Sequence, residues 1–165
     1  NASKLHKSFG DMLLDEGFSS HYIEQEVIVK QLCPNHSNGR DRFDYYLPSF
    51  KCVIELHGAQ HRQAVDFGGE GLAKAKRNLV VRLEKDIEKQ MSALAAGIPF
   101  IEIWHTEELT WKLFEEKLHA ARKHPDLASH KPKEKQSTFK NNPDKKMTSK
   151  SGFTKTTRKM GEKWE

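Results

Sequence analysis

The part of the sequence that says most about the fold is FDYYLPSFKCVIELHGAQHRQ, residues 43–63. Together with Arg42 before it, it contains two short runs rich in aromatic and β-branched residues, 42–47 and 51–57, separated by a turn that begins at Pro48 and Ser49. Runs of this composition on either side of turn-forming residues are typical of two adjacent antiparallel strands. The stretch therefore predicts a β-hairpin.

Periodicity in the rest of the chain predicts further elements around this hairpin. In order, these are a helix over residues 3–16, a strand over 26–30, the hairpin, one or two helices over 70–96, a strand over 98–104 and a helix over 107–122. The buried stripe of the long helical stretch is predicted to consist of Leu83, Ile87, Met91 and Leu94. The order helix, three strands, helix, strand, helix predicts an α/β fold with a mixed central β-sheet flanked by helices.

Charge is distributed unevenly along the chain. The whole sequence carries 28 Lys and Arg against 23 Asp and Glu, a net charge of +5. Residues 123–165 carry a net charge of +7 and residues 1–122 a net charge of −2. The segment 123–165 contains three prolines and few aliphatic residues, which predicts a disordered basic tail that follows an α/β domain of residues 1–122.

A flexible basic arm is typical of proteins that contact nucleic-acid phosphates. The alternative is a tail that only increases solubility or docks on another protein. The residues expected to bind nucleic acid are Lys133, Lys135, Lys140, Lys145, Lys146, Lys150, Lys155, Arg158 and Lys159.

Several protein classes are disfavoured by composition. The chain has no apolar run of about 18 residues, as a transmembrane helix requires. The N-terminal residues lack the apolar run of a signal peptide, and two cysteines cannot form a disulfide framework. We therefore expect a cytoplasmic or other intracellular protein that associates with nucleic acid and not with a membrane.

Two acidic residues interrupt hairpin strands that otherwise favour burial. Asp44 and Glu55 lie at comparable distances from the turn, so their carboxylates are expected to converge at one end of the sheet. Two nearby carboxylates repel each other unless a cation lies between them, and oxygen ligands suit Mg²⁺ or Mn²⁺. His57 follows Glu55 by two residues and shares its face of the strand. The alternative is structural: Asp44 caps a turn, and Glu55 pairs with a nearby Lys or Arg.

The spacing of Asp44, Glu55 and His57 resembles the PD-(D/E)xK nuclease signature, with histidine in place of the usual lysine. More narrowly, the chain resembles very-short-patch-repair (Vsr-like) endonucleases and related homing endonucleases. Four segments between residues 40 and 108 carry this resemblance: FDYYLP, VIELHGAQH, RLEKDIEKQMSAL and GIPFIEIWHTEEL. The resemblance implies a restriction-endonuclease-like fold for a nuclease-like domain of residues 1–122, and metal-dependent hydrolysis of DNA.

The resemblance also implies roles for individual residues. Asp44 would be the principal metal-binding carboxylate, and Glu55 the second ligand or the base that orients a water molecule. His57 occupies the position of the lysine, and His61 matches the histidine that follows the glycine in Vsr-like sequences. Either imidazole could activate water or protonate the leaving oxygen.

Lys89 follows Asp86 by three residues on one helix face and matches a polar helix position of the group. Its ammonium would reach the scissile phosphate, and the alternative is an ordinary surface ion pair with Asp86. The Gly-rich segment 67–71 has no counterpart in the resemblance and is interpreted as either a DNA-contacting loop or a flexible insertion.

The sequence departs from the family pattern in its first helix, where related chains often carry a glutamate directed at the site. The residues that could take its place are His6, Lys7, Glu24 and Glu26. Vsr-type enzymes also contain a structural zinc ion. Cys33 and His36 could supply half of a tetrahedral site, but Cys52 is predicted to pack in the core, so zinc is the weaker prediction.

The sequence as a whole predicts a Mg²⁺- or Mn²⁺-dependent endodeoxyribonuclease, with DNA as the expected partner and RNA as an alternative substrate. We expect the chain either to recognise a DNA structure or mismatch or to work within a larger protein assembly, and the oligomeric state is not indicated. One alternative is a catalytically inactive subunit that keeps the nuclease fold and binds nucleic acid or a protein assembly, which His57 at the lysine position favours. A junction or flap resolvase, which would need a dimer, is a weaker alternative.

Overall fold

The computed structural model describes residues 3–64, 69 and 71–129. Most of the Gly-rich segment 67–71 and all the predicted nucleic-acid-binding residues of the tail lie outside them. The chain divides into two units, Asn1–Lys131 and Pro132–Glu165, and all the described residues belong to the first. Within the described residues, no helix combines the length and apolar character needed to cross a membrane.

The elements follow the chain in the predicted order. They are α1 (Lys4–Asp15), β1 (Glu24–Ile28), α2 (Val29–Leu32), β2 (Arg42–Leu47), β3 (Cys52–His57), α3 (Leu72–Ala95), β4 (Phe100–Trp104) and α4 (Trp111–Arg122), with short 3-10 turns at Ser20–Tyr22 and Ala59–His61. The strands form one sheet in the order β1-β2-β3-β4. The first three are antiparallel, and β4 is parallel to β3. The predicted α/β class with a mixed sheet and helices is confirmed.

The first strand differs from its prediction over residues 26–30. It starts earlier, at Glu24, and ends at Ile28, because the chain then turns into α2. Val29 donates its N–H to Asp41 O at 2.9 Å and accepts the Cys33 N–H at 2.8 Å, and its side chain is fully buried. A β-branched residue that the periodicity assigns to a strand therefore serves as a core residue of a helical turn.

The core lies in two clusters on opposite faces of the sheet. The larger cluster packs α1 and α4 on the sheet through residues such as Phe9, Tyr45 and Phe114. The smaller cluster includes Val53 and joins the sheet to α2 and α3. Because successive strand residues face opposite sides, β3 contributes Ile54 to the first cluster and Val53 to the second. The sheet is thus covered by helices on both faces.

Helix α3 turns a different face toward the sheet from the one predicted. Leu83, Ile87 and Met91 are 39%, 56% and 65% exposed, so the predicted stripe is wrong at these positions, and only Leu94 is buried as expected. The more buried positions of the helix include Ala75, Asp86, Lys89 and Ala93. The prediction failed because the middle of the buried face is charged, where it meets charged groups on β3.

The corner between β4 and α4 is held by Glu107. Its Oε2 accepts the Trp104 N–H at 2.9 Å, and its Oε1 pairs with Lys117 Nζ at 2.8 Å. Burial disfavours the carboxylate, but these two partners outweigh burial, so the pKa of Glu107 lies below its ordinary value.

We expect Glu107→Gln to lower the free energy of unfolding at neutral pH and to lose this effect in acid. A carboxyl group whose pKa is lowered by folding adds stability above its unfolded pKa, and this stability disappears as the pH falls through the folded pKa. Urea unfolding of both proteins between about pH 7 and pH 3 measures the difference. Glu115→Gln, at an exposed position of α4, is the control. A difference that stays constant with pH would contradict this account of the corner.

Candidate functional site

The candidate site begins where the β2–β3 pair departs from a regular ladder. The two strands pair through Tyr45 and Ile54, and one step farther from the turn are Asp44 and Glu55. At this step the Asp44 Oδ2 accepts the backbone N–H of Leu56 at 2.7 Å. This short hydrogen bond holds the Asp44 carboxyl group against the strand that carries Glu55.

Glu55 is one of the few charged residues inside the protein, with a relative exposure of 3%. Its Oε2 lies 2.7 Å from Lys89 Nζ. Its Oε1 is buried and has no hydrogen-bond partner among the described residues. A buried carboxylate oxygen without a donor is costly, and such an atom is typical of a site that a cation or water molecule completes.

The electrostatics of this pair follow from burial and nearby charge. Burial raises the pKa of Glu55 to about 8; Lys89 opposes this rise, and the negative charges of Asp44 and Asp86 add to it. Burial alone would lower the pKa of Lys89, but Glu55, Asp86 and Asp44 outweigh it and raise that pKa above its ordinary value. The site therefore holds a protonated lysine beside a carboxyl group whose ionised form burial disfavours.

Lys89 reaches the site from α3. Besides Glu55, its Nζ donates to the Arg42 carbonyl oxygen at 3.2 Å and lies 3.8 Å from Asp86 Oδ1. The Lys89 side chain is only 12% exposed, and Asp86 is the more distant of its two acidic partners. The alternative of an ordinary surface ion pair with Asp86 does not describe this geometry.

His57 belongs to a second group of side chains. It is buried, its Nε2 lies 3.2 Å from Glu102 Oε1, and its Nδ1 lies 3.2 Å from His61 Nδ1. Its ring also packs on the Trp104 ring, with centroids 4.3 Å apart. Both nitrogens of His57 are thus engaged away from the oxygen atoms of Asp44 and Glu55, although the residue shares the strand face of Glu55.

Asp86 completes this second group. Its Oδ2 lies 2.9 Å from His61 Nδ1 and 3.8 Å from His57 Nδ1. Burial disfavours the Asp86 carboxylate, but the hydrogen bond from His61 and the charge of Lys89 outweigh burial, so its pKa is lowered. His57, His61 and Asp86 are close enough to share one metal ion.

Asp44 also faces residues from α1 and β1. Ligand atoms of His6, Glu26 and Asp44 all lie within 4.8 Å of one another. The backbone of Glu26 has a positive φ of 52°, a strained conformation for a residue with a side chain. Of the four residues that could replace the expected helix glutamate, His6 and Glu26 are therefore the two that the structure groups with Asp44.

Two contacts at the site were not predicted from the sequence. Glu102 supports His57, and the Arg62 guanidinium stacks over the Trp104 ring, 3.9 Å from its centroid. Glu102 had a detectable signal, because it is a charged residue inside the short apolar strand FIEIW, in register with Glu55. The stacking of Arg62 on Trp104 had no detectable signal, because the two residues are distant in sequence and no local pattern links them.

His36, the residue that could join Cys33 in a zinc site, has two side-chain partners in the structure. His36 is buried, with Nδ1 2.7 Å from Ser92 Oγ and Nε2 2.8 Å from Asp41 Oδ2. Burial raises the pKa of Cys33 to about 11, which disfavours the thiolate that zinc requires. His36 thus joins the loop before β2 to α3 through hydrogen bonds.

Comparison with known proteins adds no family assignment. No protein-family model matches the sequence, and no curated protein matches it significantly.

Proposed function

We propose that the chain is a Mg²⁺- or Mn²⁺-dependent endonuclease of the PD-(D/E)xK type that hydrolyses phosphodiester bonds in DNA. One observation carries the proposal. Asp44, Glu55 and Lys89 interact at one end of the β2–β3 pair, and Glu55 Oε1 is buried there with no partner among the described residues.

The donor atoms fit a hard divalent cation. Carboxylate oxygens are preferred ligands of Mg²⁺. Glu55 Oε1, which has no partner among the described residues, offers such an oxygen, and a bound cation would favour the ionised form of Glu55 that burial disfavours. Asp44 and Glu55 would hold the ion. When bound, such an ion lowers the pKa of a coordinated water and stabilises negative charge on a phosphoryl oxygen.

Lys89 supplies the positive charge that the sequence pattern lacks at its third position. PD-(D/E)xK enzymes carry a lysine two residues after the glutamate, where this chain has His57. Here an ammonium reaches Glu55 from α3 instead, and its raised pKa keeps it protonated. We assign Lys89 the stabilisation of negative charge on the scissile phosphate.

His61 is the residue best suited to proton transfer. Asp86 accepts the hydrogen of His61 Nδ1, and Nε2, which has no hydrogen-bond partner among the described residues, can accept or donate a proton. The His61 side chain is 17% exposed and accessible, whereas His57 is buried with both nitrogens engaged. We therefore assign His57 the role of a positioning residue for His61.

A panel of substrates tests the proposed function. Supercoiled plasmid, mismatched duplex, branched duplex and an RNA duplex are incubated with the full chain in Mg²⁺, Mn²⁺ or EDTA. The proposal predicts metal-dependent cutting of DNA, and the preferred substrate distinguishes mismatch recognition from junction resolution. Salt-sensitive binding without cutting of any substrate would favour the inactive binding subunit, and cutting of RNA alone would correct the substrate class.

The basic tail is proposed to provide non-specific attraction to DNA. We expect a truncation after Lys131 to weaken DNA binding and to reduce the steepness with which affinity falls as salt rises, because fewer counterions are released. Fluorescence anisotropy of a labelled duplex across a salt series measures both effects. An unchanged salt slope would contradict the assigned role of Lys133, Lys135 and the other basic residues of the tail.

A further inference from the structure

We propose that His57, His61 and Asp86 form a binding site for a first-row transition-metal ion such as Zn²⁺, separate from the Asp44–Glu55 centre. Its three ligand atoms are His57 Nδ1, His61 Nδ1 and Asp86 Oδ2, which are separated by 3.2, 2.9 and 3.8 Å. Metal–ligand bonds of about 2.0–2.2 Å in tetrahedral geometry place ligand atoms roughly 3.3–3.6 Å apart. None of the three separations departs from this range by more than about 0.4 Å, so small side-chain movements would complete one face of a coordination sphere.

The three ligand atoms have too few hydrogens between them for each pair to form a hydrogen bond. The carboxylates of Glu102 and Asp86 only accept, so His57 carries its hydrogen on Nε2 and presents a lone pair at Nδ1. One hydrogen, on His61 Nδ1, must then serve both Asp86 and His57. A metal ion would engage all three lone pairs at once, with the hydrogen of His61 moved to Nε2.

Glu102 gives the site the outer support that metal-bound histidines have in known proteins. A ligating histidine almost always donates its second N–H to a carboxylate, a carbonyl oxygen or water, which fixes the ring and increases its basicity. Glu102 Oε1 lies 3.2 Å from His57 Nε2, and the Trp104 ring packs against the same imidazole. His57 is therefore held in the orientation that a metal ligand needs.

The donor set and its exposure select the class of ion. Two imidazoles and one carboxylate suit Zn²⁺, Co²⁺, Ni²⁺ or Fe²⁺ better than Mg²⁺, which prefers oxygen ligands. The side chains of His61 and Asp86 are 17% and 13% exposed, so an ion can enter from solvent and keep positions for water. The positive charge of Lys89 Nζ, 3.8 Å from Asp86 Oδ1, disfavours binding of the ion. The negative charges of Glu102 and Asp86 favour it.

Direct metal binding to the full chain tests this site. Titration with Co²⁺, followed by visible absorption, is expected to show one tight equivalent that Zn²⁺ displaces. We expect Glu102→Gln to weaken Co²⁺ binding by about 10-fold, as outer-shell changes do. The loss of a direct ligand in His61→Ala or Asp86→Asn should weaken it more, by about 100-fold or greater.

Two control variants make the result specific. His119→Ala removes an exposed histidine of α4, and Asp44→Asn alters the other centre; both should bind Co²⁺ as the wild type does. Wild-type affinity in His61→Ala would overturn the proposed site. Loss of Co²⁺ binding in Asp44→Asn would also overturn it, by assigning the ion to the Asp44–Glu55 centre. Neither readout depends on nuclease activity, so the failure of this site and the failure of the proposed function are distinguishable.

Discussion

Asp44→Asn is expected to reduce Mg²⁺-dependent DNA cleavage by on the order of a thousandfold or more. Asparagine has nearly the same shape as aspartate and keeps an oxygen that can accept the Leu56 N–H, so the β2–β3 pair should remain intact. What it removes is the negative charge proposed to bind the cation. The variant therefore separates the chemistry of Asp44 from its structural role.

Single-turnover cleavage of supercoiled plasmid measures the loss, and thermal unfolding shows that the variant is folded. Asp15→Asn, at an exposed position of α1, is the matched control and should cleave as the wild type does. Cleavage at the wild-type rate by folded Asp44→Asn would exclude Asp44 as a metal ligand of the reaction.

Lys89→Met is expected to lower both cleavage and stability. The proposed reaction loses the ammonium that stabilises the phosphate, for which we expect a loss of about 100-fold or more. Glu55 loses its cation at 2.7 Å while remaining buried, and removal of one partner of a buried ion pair destabilises proteins by about 3 kcal/mol. Lys85→Met, at an exposed position of the same helix, is the control for both measurements.

A second variant distinguishes the two effects of Lys89. Glu55→Gln combined with Lys89→Met removes both charges, so the free energy of unfolding should recover relative to Lys89→Met alone. Cleavage should not recover, because the proposed metal ligand is now also absent. A double variant that is no more stable than Lys89→Met alone would show that Glu55 and Lys89 do not form the coupled pair described above.

The β2–β3 hairpin could be predicted because local features specify it. Turn formers separate two β-prone runs, and the observed register brings Tyr45 opposite Ile54, which leaves Asp44 and Glu55 at adjacent positions. Asp44 and Glu55 also stand out in the sequence, because a buried strand rarely carries a charged residue without a partner. The coarse class and the approach of these two residues thus depend on short-range patterns.

The partners of these residues could not be predicted in the same way. Helix α3 has two stripes at helical spacing, one apolar through Ile87 and one polar through Asp86 and Lys89. Periodicity identifies both stripes, but only the groups on the facing strand decide which one turns inward. Because β3 carries Glu55 and His57 on that side, the polar stripe packs against it and the apolar stripe remains exposed.

Two features of the backbone also could not be predicted from the sequence. The positive φ of Glu26 and the turn of Val29 into α2 have no local sequence signal such as glycine or proline. The strain at Glu26 occurs where its side chain approaches Asp44 and His6. Strained residues cluster at functional sites, where local rules are most often broken.

The central claim is that Asp44, Glu55 and Lys89 form a metal-dependent phosphodiesterase centre, and one assay addresses it most directly. Supercoiled plasmid is incubated with the full chain and Mg²⁺, cleavage is stopped with EDTA, and Mg²⁺ is then added back in excess. The account predicts nicked or linear DNA in Mg²⁺, arrest in EDTA and resumption after Mg²⁺ is restored. Plasmid that is bound but stays intact at every Mg²⁺ and Mn²⁺ concentration would contradict it.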